Sequence, residues 1–332
     1  MKTVDTFIQQ GFIDGAVVLA GNAEQDLFAG AWGFADRIGQ TPMTMDSVFD
    51  LASVTKAVGT NSVLLAALAD GLLALDRPFT DLLPEFTGKQ PWPVTVREIA
   101  LHISGIGLDY CNTGSPEKMR RKILASDFLR EPRTGYQYTC TSYILLGFLL
   151  ERLYGRSLAE LAAERIFRPL EMTETNWTKP AEGSLARTVR TINADPGIIS
   201  DPGARNFAPR PFGNAGLFST AGDLAKFARM MLKNDGTIFP PEILRLCFTD
   251  LNPPEVHHPH SVGWDMMPDM IPAGLSPRTV FHNGWTGQTL WIDPGTGRFV
   301  IVLTSRMKEW DLAKYGRKAV AEELLTLIKP GA

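Results

Sequence analysis

Cysteine is scarce in this chain: Cys111, Cys140 and Cys247 are the only three among 332 residues. So few, and odd in number, they exclude a disulfide framework and make a reducing cytoplasm the expected location. An excess of one charge is also missing. The 33 basic and 36 acidic residues leave a formal net charge of −3, without the basic footprint of a nucleic-acid partner or an anionic membrane surface. Long hydrophobic runs are absent as well. The apolar stretches 63–69 and 143–150 stop at Asp70 and Glu151, far short of the ~20 residues a bilayer-spanning helix needs. The first ten residues carry Asp5 and the pair Gln9-Gln10 where a signal segment would be basic and then apolar. What remains is a globular composition, 44% hydrophobic and 21% charged, in a chain long enough to bury a large core. Catalysis or small-molecule binding is the expected class.

The two ends read as strands. Residues 15–20 and 27–34 are short β-prone runs around the polar stretch 21–26, which suits a hairpin loop. Residues 289–293 and 298–304 are rich in β-branched and aromatic side chains and flank Pro294-Gly295-Thr296-Gly297, a stronger hairpin signal. A closing helix over 311–329 carries Tyr315, Leu324 and Ile328 at roughly helical spacing. The middle reads as helices over 55–69, 142–154 and 223–232. Gly71 and Gly155 are placed to end the first two, and Ser157-Leu158-Ala159-Glu160 has the form of a capping box. The Pro-, Gly- and Asn-rich segments 182–214 and 252–260 are expected to be surface loops. The expected fold is α/β. A mostly antiparallel sheet is assembled from 1–55 and 255–332 and flanked by helices, with a mainly helical domain over 56–254 inserted between. The active site is expected at their junction, a common place for a ligand cleft.

Ser53-Val54-Thr55-Lys56 is the first candidate for chemistry. Side chains at i and i+3 of a helix share a face, so Ser53 Oγ and Lys56 Nζ can approach hydrogen-bonding distance at a helix start, where unpaired N–H groups favour a developing anion. The spacing alone is weak evidence, because Ser115…Lys118 and Ser305…Lys308 share it. Ser115 precedes Pro116, as an N-cap does, and Ser305 follows a strand, where i and i+3 do not share a face.

Longer segments decide between them. Phe49-Asp50-Leu51-Ala52-Ser53-Val54-Thr55-Lys56 resembles the nucleophile segment of the β-lactamase-like serine hydrolases, a family of class C β-lactamases, DD-peptidases, D-aminopeptidases and family VIII carboxylesterases. In the family's chain order follow 94–105, similar to its "TIRHLLTHTSG" stretch, and 138–147, similar to "YSNxxYxLLG". Next come 215–224, similar to "AGLFSTAxDL", and His282-Asn283-Gly284, similar to the strand motif "K/H-x-G". The resemblance runs from about Gly15 to Arg306.

The resemblance implies that Ser53 attacks an acyl carbonyl and that Lys56, alone or with Tyr138, takes its proton. A Lys56 acting as base needs its pKa lowered, and burial is expected to supply the shift. Tyr110-Cys111-Asn112 matches Y-x-N more literally than Tyr138-Thr139-Cys140, but Tyr138 immediately precedes the buried helix, as the family tyrosine does. The backbone N–H groups of Ser53 and Trp285 would form the oxyanion hole. Cys140, His282, Gly284 and Trp285 would contact substrate. Cys140 replaces an Asn amide that holds acylamino substrates in β-lactamases; His282 replaces a fixed cation, giving a weaker, pH-dependent carboxylate anchor. His257-His258-Pro259-His260 is expected to be a solvated loop, and the chemistry calls for no metal or other cofactor. A small-molecule ester or amide is the expected partner. Hydrolysis of short-acyl esters leads; D-amino-acid amide or DD-peptide cleavage, weak β-lactamase action, or a non-hydrolytic sensor are the alternatives.

Overall fold

The computed structural model describes residues 1–107, 114–306 and 310–328. The chain opens with β1 (Ile13–Asn22), β2 (Asp26–Asp36) and β3 (Thr41–Pro42), followed by short β4 (Phe49–Asp50), β5 (Asn176–Trp177) and β6 (Leu217–Ser219). It closes with β7 (His260–Ser261), β8 (Trp264–Asp265), β9 (Val280–Asn283), β10 (Gln288–Asp293) and β11 (Arg298–Arg306). Eight strands form one sheet in the order β3-β2-β1-β11-β10-β9-β8-β7. Its pairs are antiparallel, and the two ends of the chain meet at its centre, with Val17 opposite Leu303 and Leu19 opposite Ile301.

Alternation along the central strands explains why both faces are covered. Val17 and Leu19 of β1, with Phe299, Ile301 and Leu303 of β11, enter the main core beside the inserted helices. Ala16, Val18, Val300 and Val302 enter a second core, closed by Val4 of the Lys2–Gln9 helix and by Val320, Leu324 and Ile328 at the end of the chain. Both terminal helices therefore pack on one face and the larger helical body on the other.

At the middle of that body lies the helix Cys140–Tyr154. Its residues 141–150 are all buried, as a helix apolar on every side must be. Thr139 caps its start by accepting the Thr141 N–H (3.0 Å), and Gly155 ends it at φ 63°. The sequence assigns the segments 182–214 and 252–260 to the surface; the structure corrects this. Ile199, Phe207 and Phe212 are buried in the main core, and His260 is 3% exposed. A composition poor in periodic apolar residues conceals such burial, because here the polar groups are satisfied across the fold. The Ser200 N–H, for example, is accepted by Asp50 Oδ2 at 2.7 Å.

Candidate active site

The short strand β4 delivers the nucleophile candidate. Phe49 and Asp50 pair with Ser219 and Phe218 of β6, and the Leu51 N–H continues the ladder to Leu217 O (2.8 Å). The chain then turns sharply. Ala52 sits at φ 44°, an uncommon conformation for a residue with a Cβ. Its N–H is held by Asp50 Oδ1 (2.9 Å). Ser53 follows, and Lys56 begins a π-helical turn, Lys56–Thr60, that leads into the helix Asn61–Ala69. π-Turns recur at functional sites because they re-aim side chains within a helix.

Lys56 is completely buried. Its Nζ donates to Ser53 Oγ (2.9 Å) and to Asn214 O (3.2 Å), and lies 3.7 Å from Cys140 Sγ. Tyr138 borders the same pair, with the Lys56 ammonium 4.9 Å from its ring centre, and Lys56 and Ser53 both act to lower its phenol pKa. Tyr138 as a whole is 43% exposed: its ring borders the cavity while its hydroxyl points into this cluster.

The electrostatics correct one expectation. Burial pushes the Lys56 ammonium toward deprotonation, as expected. The ionised forms of Cys140 and Tyr138, with Asp201, outweigh it, and the Lys56 pKa is pushed up to about 12. Lys56 is a cation at neutral pH. Burial likewise raises the Tyr138 phenol, against the opposing pull of Lys56.

The end of β9 closes the site from the sheet. Thr286 Oγ1 donates to Asp50 O (3.0 Å), and a Cβ at Gly284 would lie 2.6 Å from Leu51 O. Only glycine lets the two backbones approach so closely, and this contact sets the Gly284-Trp285 edge beside the Ser53 turn. Among the described residues the Ser53 N–H has no hydrogen-bond partner. His282 Nδ1 lies 3.0 Å from Asn283 O. Burial, reinforced by the charge of Lys56, pushes the His282 pKa down to about 3. The imidazole is neutral near neutral pH, so the expected pH-dependent carboxylate anchor does not exist in that range.

These groups open into a cavity of about 850 Å³, lined on the nucleophile side by Ser53, Tyr138, Cys140 and Asp201 and on the sheet side by His258, His260, Asp265, His282 and Trp285. The solvated-loop reading of 257–260 is thereby overturned for two of its histidines. His258 stacks on Tyr136 (ring centres 3.5 Å apart) with its Nε2 3.3 Å from Asp265 Oδ1, and His260 lies in the wall. Tertiary packing against Tyr136 and His102 buries them, and no local pattern announces it. Among the described residues, no group of three or more His, Cys, Asp or Glu side chains is arranged to hold a metal ion. Tyr110 and Cys111 lie outside the described residues. Cys247 is buried, and desolvation pushes its thiol up to about 12.

The sequence profile described as Beta-lactamase matches residues 2–325. The chain belongs to the beta-lactamase family. Its similarities within that family fall on proteins named for different hydrolytic activities. It is 26% identical to Esterase EstB of Burkholderia gladioli over 92% of this chain and 89% of the other. It is also 26% identical to a protein of Escherichia coli K12 named "Putative D-alanyl-D-alanine carboxypeptidase", over 85% of this chain and 76% of the other. The fold matches that of EstCE1, a hydrolase with promiscuous acyltransferase activity, at TM-score 0.82 and 19% identity, covering 98% and 96% of the two chains. No described helix is long and apolar enough to cross a membrane.

Within this beta-lactamase-family site, sequence reasoning missed Asp50, Asp201, Asn214, Tyr136 and Asp265. Two had a signal. Asp50 lies three residues before Ser53, and Asn214 directly precedes the Ala215-Gly216-Leu217-Phe218 motif. Asp201 and Asp265 stand in stretches with no motif.

Proposed function

We propose that the protein is a serine carboxylesterase that cleaves small, short-acyl esters through an acyl-enzyme on Ser53. The carrying observation is the cluster itself: Lys56 Nζ donates to Ser53 Oγ at 2.9 Å and lies 4.9 Å from the centre of the Tyr138 ring. Because Lys56 is a cation, its part is to hold Oγ and stabilise negative charge on Tyr138. The reactive form has lost one proton from the Lys56–Tyr138 pair. Ser53 Oγ then bonds to the ester carbonyl carbon while its proton passes to the Tyr138 oxygen. As the C–O bond breaks, Tyr138 returns that proton to the leaving alkoxide, and the same exchange with water frees the acid. The Ser53 and Trp285 N–H groups receive the carbonyl oxygen, each worth about 3 kcal/mol in the transition state.

Ester in preference to D-peptide or β-lactam follows from charge. The last two carry a carboxylate, and neutral His282 supplies no cation to meet it. The test is steady-state hydrolysis of p-nitrophenyl acetate, butyrate and octanoate by wild type and Ser53→Ala. The expected outcome is turnover that falls at least about a thousandfold in the variant, with short chains preferred. Equal activity in both proteins would reduce Ser53 to a structural residue.

A further inference from the structure

Tyr138 is asked to take and return a proton, yet it stands on a stretch, residues 135–139, that belongs to no helix or strand. Such a stretch holds its side chains in place only if something else pins its backbone. One residue does so on both sides of Tyr138. The His102 carbonyl accepts the Gln137 N–H (2.9 Å), and His102 Nδ1 accepts the Thr139 N–H (3.4 Å). The His102 ring also lies against the Tyr138 ring, with centres 4.7 Å apart. The residue before Tyr138, the residue after it and its own ring all meet His102.

His102 belongs to the 94–105 stretch, which carries no step of the ester chemistry. The helix Val96–Ala100 ends just before it, and His102 itself sits at φ 58°, uncommon for a residue with a Cβ. Strain of this kind persists where the surroundings over-determine it, and it gathers at functional sites. The surroundings here are tight. The residue is 2% exposed, and its ring is enclosed by Tyr143, His260 and Tyr136, with centres 5.3, 5.7 and 5.9 Å away. The Ile103 carbonyl accepts the Arg133 N–H (2.8 Å), fastening the same two segments once more. An accepting Nδ1 requires a neutral ring that carries its proton on Nε2. Burial, reinforced by His260, Lys56, His282 and His258, pushes the ring well below the ordinary histidine range and keeps it neutral. His102 is not among the described residues that line the cavity, so Tyr138 is its route to the reacting atoms.

We propose that His102 is a positioning residue for Tyr138: by bonding to the backbone on either side and packing on the ring, it holds the phenol where it exchanges a proton with Ser53 and the leaving group. The proposal rests on the esterase reading and adds to it a residue that acts through Tyr138.

A double-mutant cycle tests it, with p-nitrophenyl butyrate as substrate. His102→Phe keeps an aromatic ring and removes the Nδ1 acceptor. His102→Asn gives up the ring, keeps an acceptor at the Nδ1 place and tolerates the positive φ. In His102→Phe, kcat should fall about 10–100-fold while KM changes by less than about threefold, the pattern of an interaction made in the transition state. His102→Asn should stay within about fivefold of the wild type, because its amide oxygen can still receive the Thr139 N–H. In a Tyr138→Phe background no hydroxyl remains to be positioned, so adding His102→Phe should cost less than about twofold. A merely structural role would cost the same factor in both backgrounds, and that result would overturn the proposal. So would a loss in His102→Phe of less than about threefold in the wild-type background. Thermal unfolding checks each variant. If His102→Phe does not fold, His102→Gln, whose amide falls at the Nε2 place rather than the Nδ1 place, enters the cycle with the same expectations. An additive cycle in a protein with Ser53-dependent turnover sinks the role of His102 alone. Absence of turnover in the wild type sinks the esterase reading, and the role of His102 with it.

Discussion

The two walls of the cavity are built on opposite physical plans. On the nucleophile side the polar side chains around Ser53 are densely engaged: Lys56 meets Ser53, Asn214 and Cys140, Tyr138 lies beside Lys56 and Ser53, and Asp50 fastens both the Ala52 turn and Ser200. On the sheet side, polar groups are buried and only partly engaged. His260 Nδ1 lacks a partner among the described residues, and the imidazoles of His260 and His282 are held neutral by burial. A densely bonded network fixes geometry to within the tolerance that bond-making needs, whereas buried neutral imidazoles resist protonation and keep their wall free of fixed positive charge. On the proposed function, chemistry belongs to the first wall and substrate choice to the second.

The sharpest way to break that contrast is to open the densely bonded wall. Lys56→Met is expected to lower kcat for p-nitrophenyl butyrate by about 10³-fold or more and Tyr138→Phe by about 10²–10³, and the double variant should be little worse than Lys56→Met alone, because groups acting as a unit are not additive. The pH profile carries the sign of the proton inventory. The reactive form has lost a proton from a pair in which Lys56 titrates near about 12 and Tyr138 above its usual value. Ser53-dependent kcat/KM should therefore keep rising with pH past about 9, where a base of ordinary histidine pKa would long have levelled off. A plateau by neutral pH would show that a less basic group takes the proton.

A smaller loss is expected where the two walls touch. In Gly284→Ala the added Cβ would meet Leu51 O at 2.6 Å and Gln288 Oε1 at 2.5 Å. The strand edge must move away from the Ser53 turn, so kcat should fall about 10–100-fold, the scale of a displaced oxyanion donor. Thermal unfolding of the same variant, showing a folded protein, separates this from collapse of the sheet.

The sheet-side histidines should reveal themselves in stability more than in rate. His260 and His282 have folded-state pKa values near about 4 and about 3, below the ~6.5 of an unfolded histidine. Between those values the unfolded chain binds the protons, so the stability is fully present above about pH 6.5 and is lost as pH falls toward 4 and then 3. At pH 5 each costs about 2 kcal/mol. Buried His102 is depressed in the same direction; urea unfolding at pH 7.5 and 5 measures the summed loss, and His260→Gln should recover about 2 kcal/mol of it.

How much of this was readable in the sequence follows the same division. Strands β1, β2, β10 and β11 were legible because their apolar runs and the intervening Pro294–Gly297 turn are local signals. Ser53 and Lys56 were legible through spacing and segment order, and the burial of Lys56 follows from the chemistry asked of it. The direction of its pKa was not legible, since it depends on Cys140 and Tyr138, 84 and 82 residues away along the chain. On the sheet-side wall, His282 and Trp285 were read into the site, whereas His258 and His260 were not. Residues 257–260 look like a solvated loop until Tyr136 stacks on His258 and His102 lies 5.7 Å from His260.

The smallest effect is expected at Cys140, and it tests the contrast most finely. Its Sγ is 3.7 Å from Lys56 Nζ, a weak contact beside the 2.9 Å bond to Ser53. Cys140→Ser keeps a small acceptor at that place, so kcat/KM for p-nitrophenyl acetate should change by less than about threefold. Cys140→Asn restores the amide that resemblance to β-lactamases assigns to this position. If that amide were all the site lacked, the variant would gain turnover of the cephalosporin nitrocefin. No gain is expected, because the nitrocefin carboxylate would still face neutral His282 and the carboxylates of Asp201 and Asp265, and like charge in a confined site opposes binding. Nitrocefin hydrolysis appearing in Cys140→Asn at more than about a thousandth of the ester rate would mean that the nucleophile wall sets substrate choice after all. Its absence, with ester turnover retained, leaves selection where the unsatisfied wall puts it.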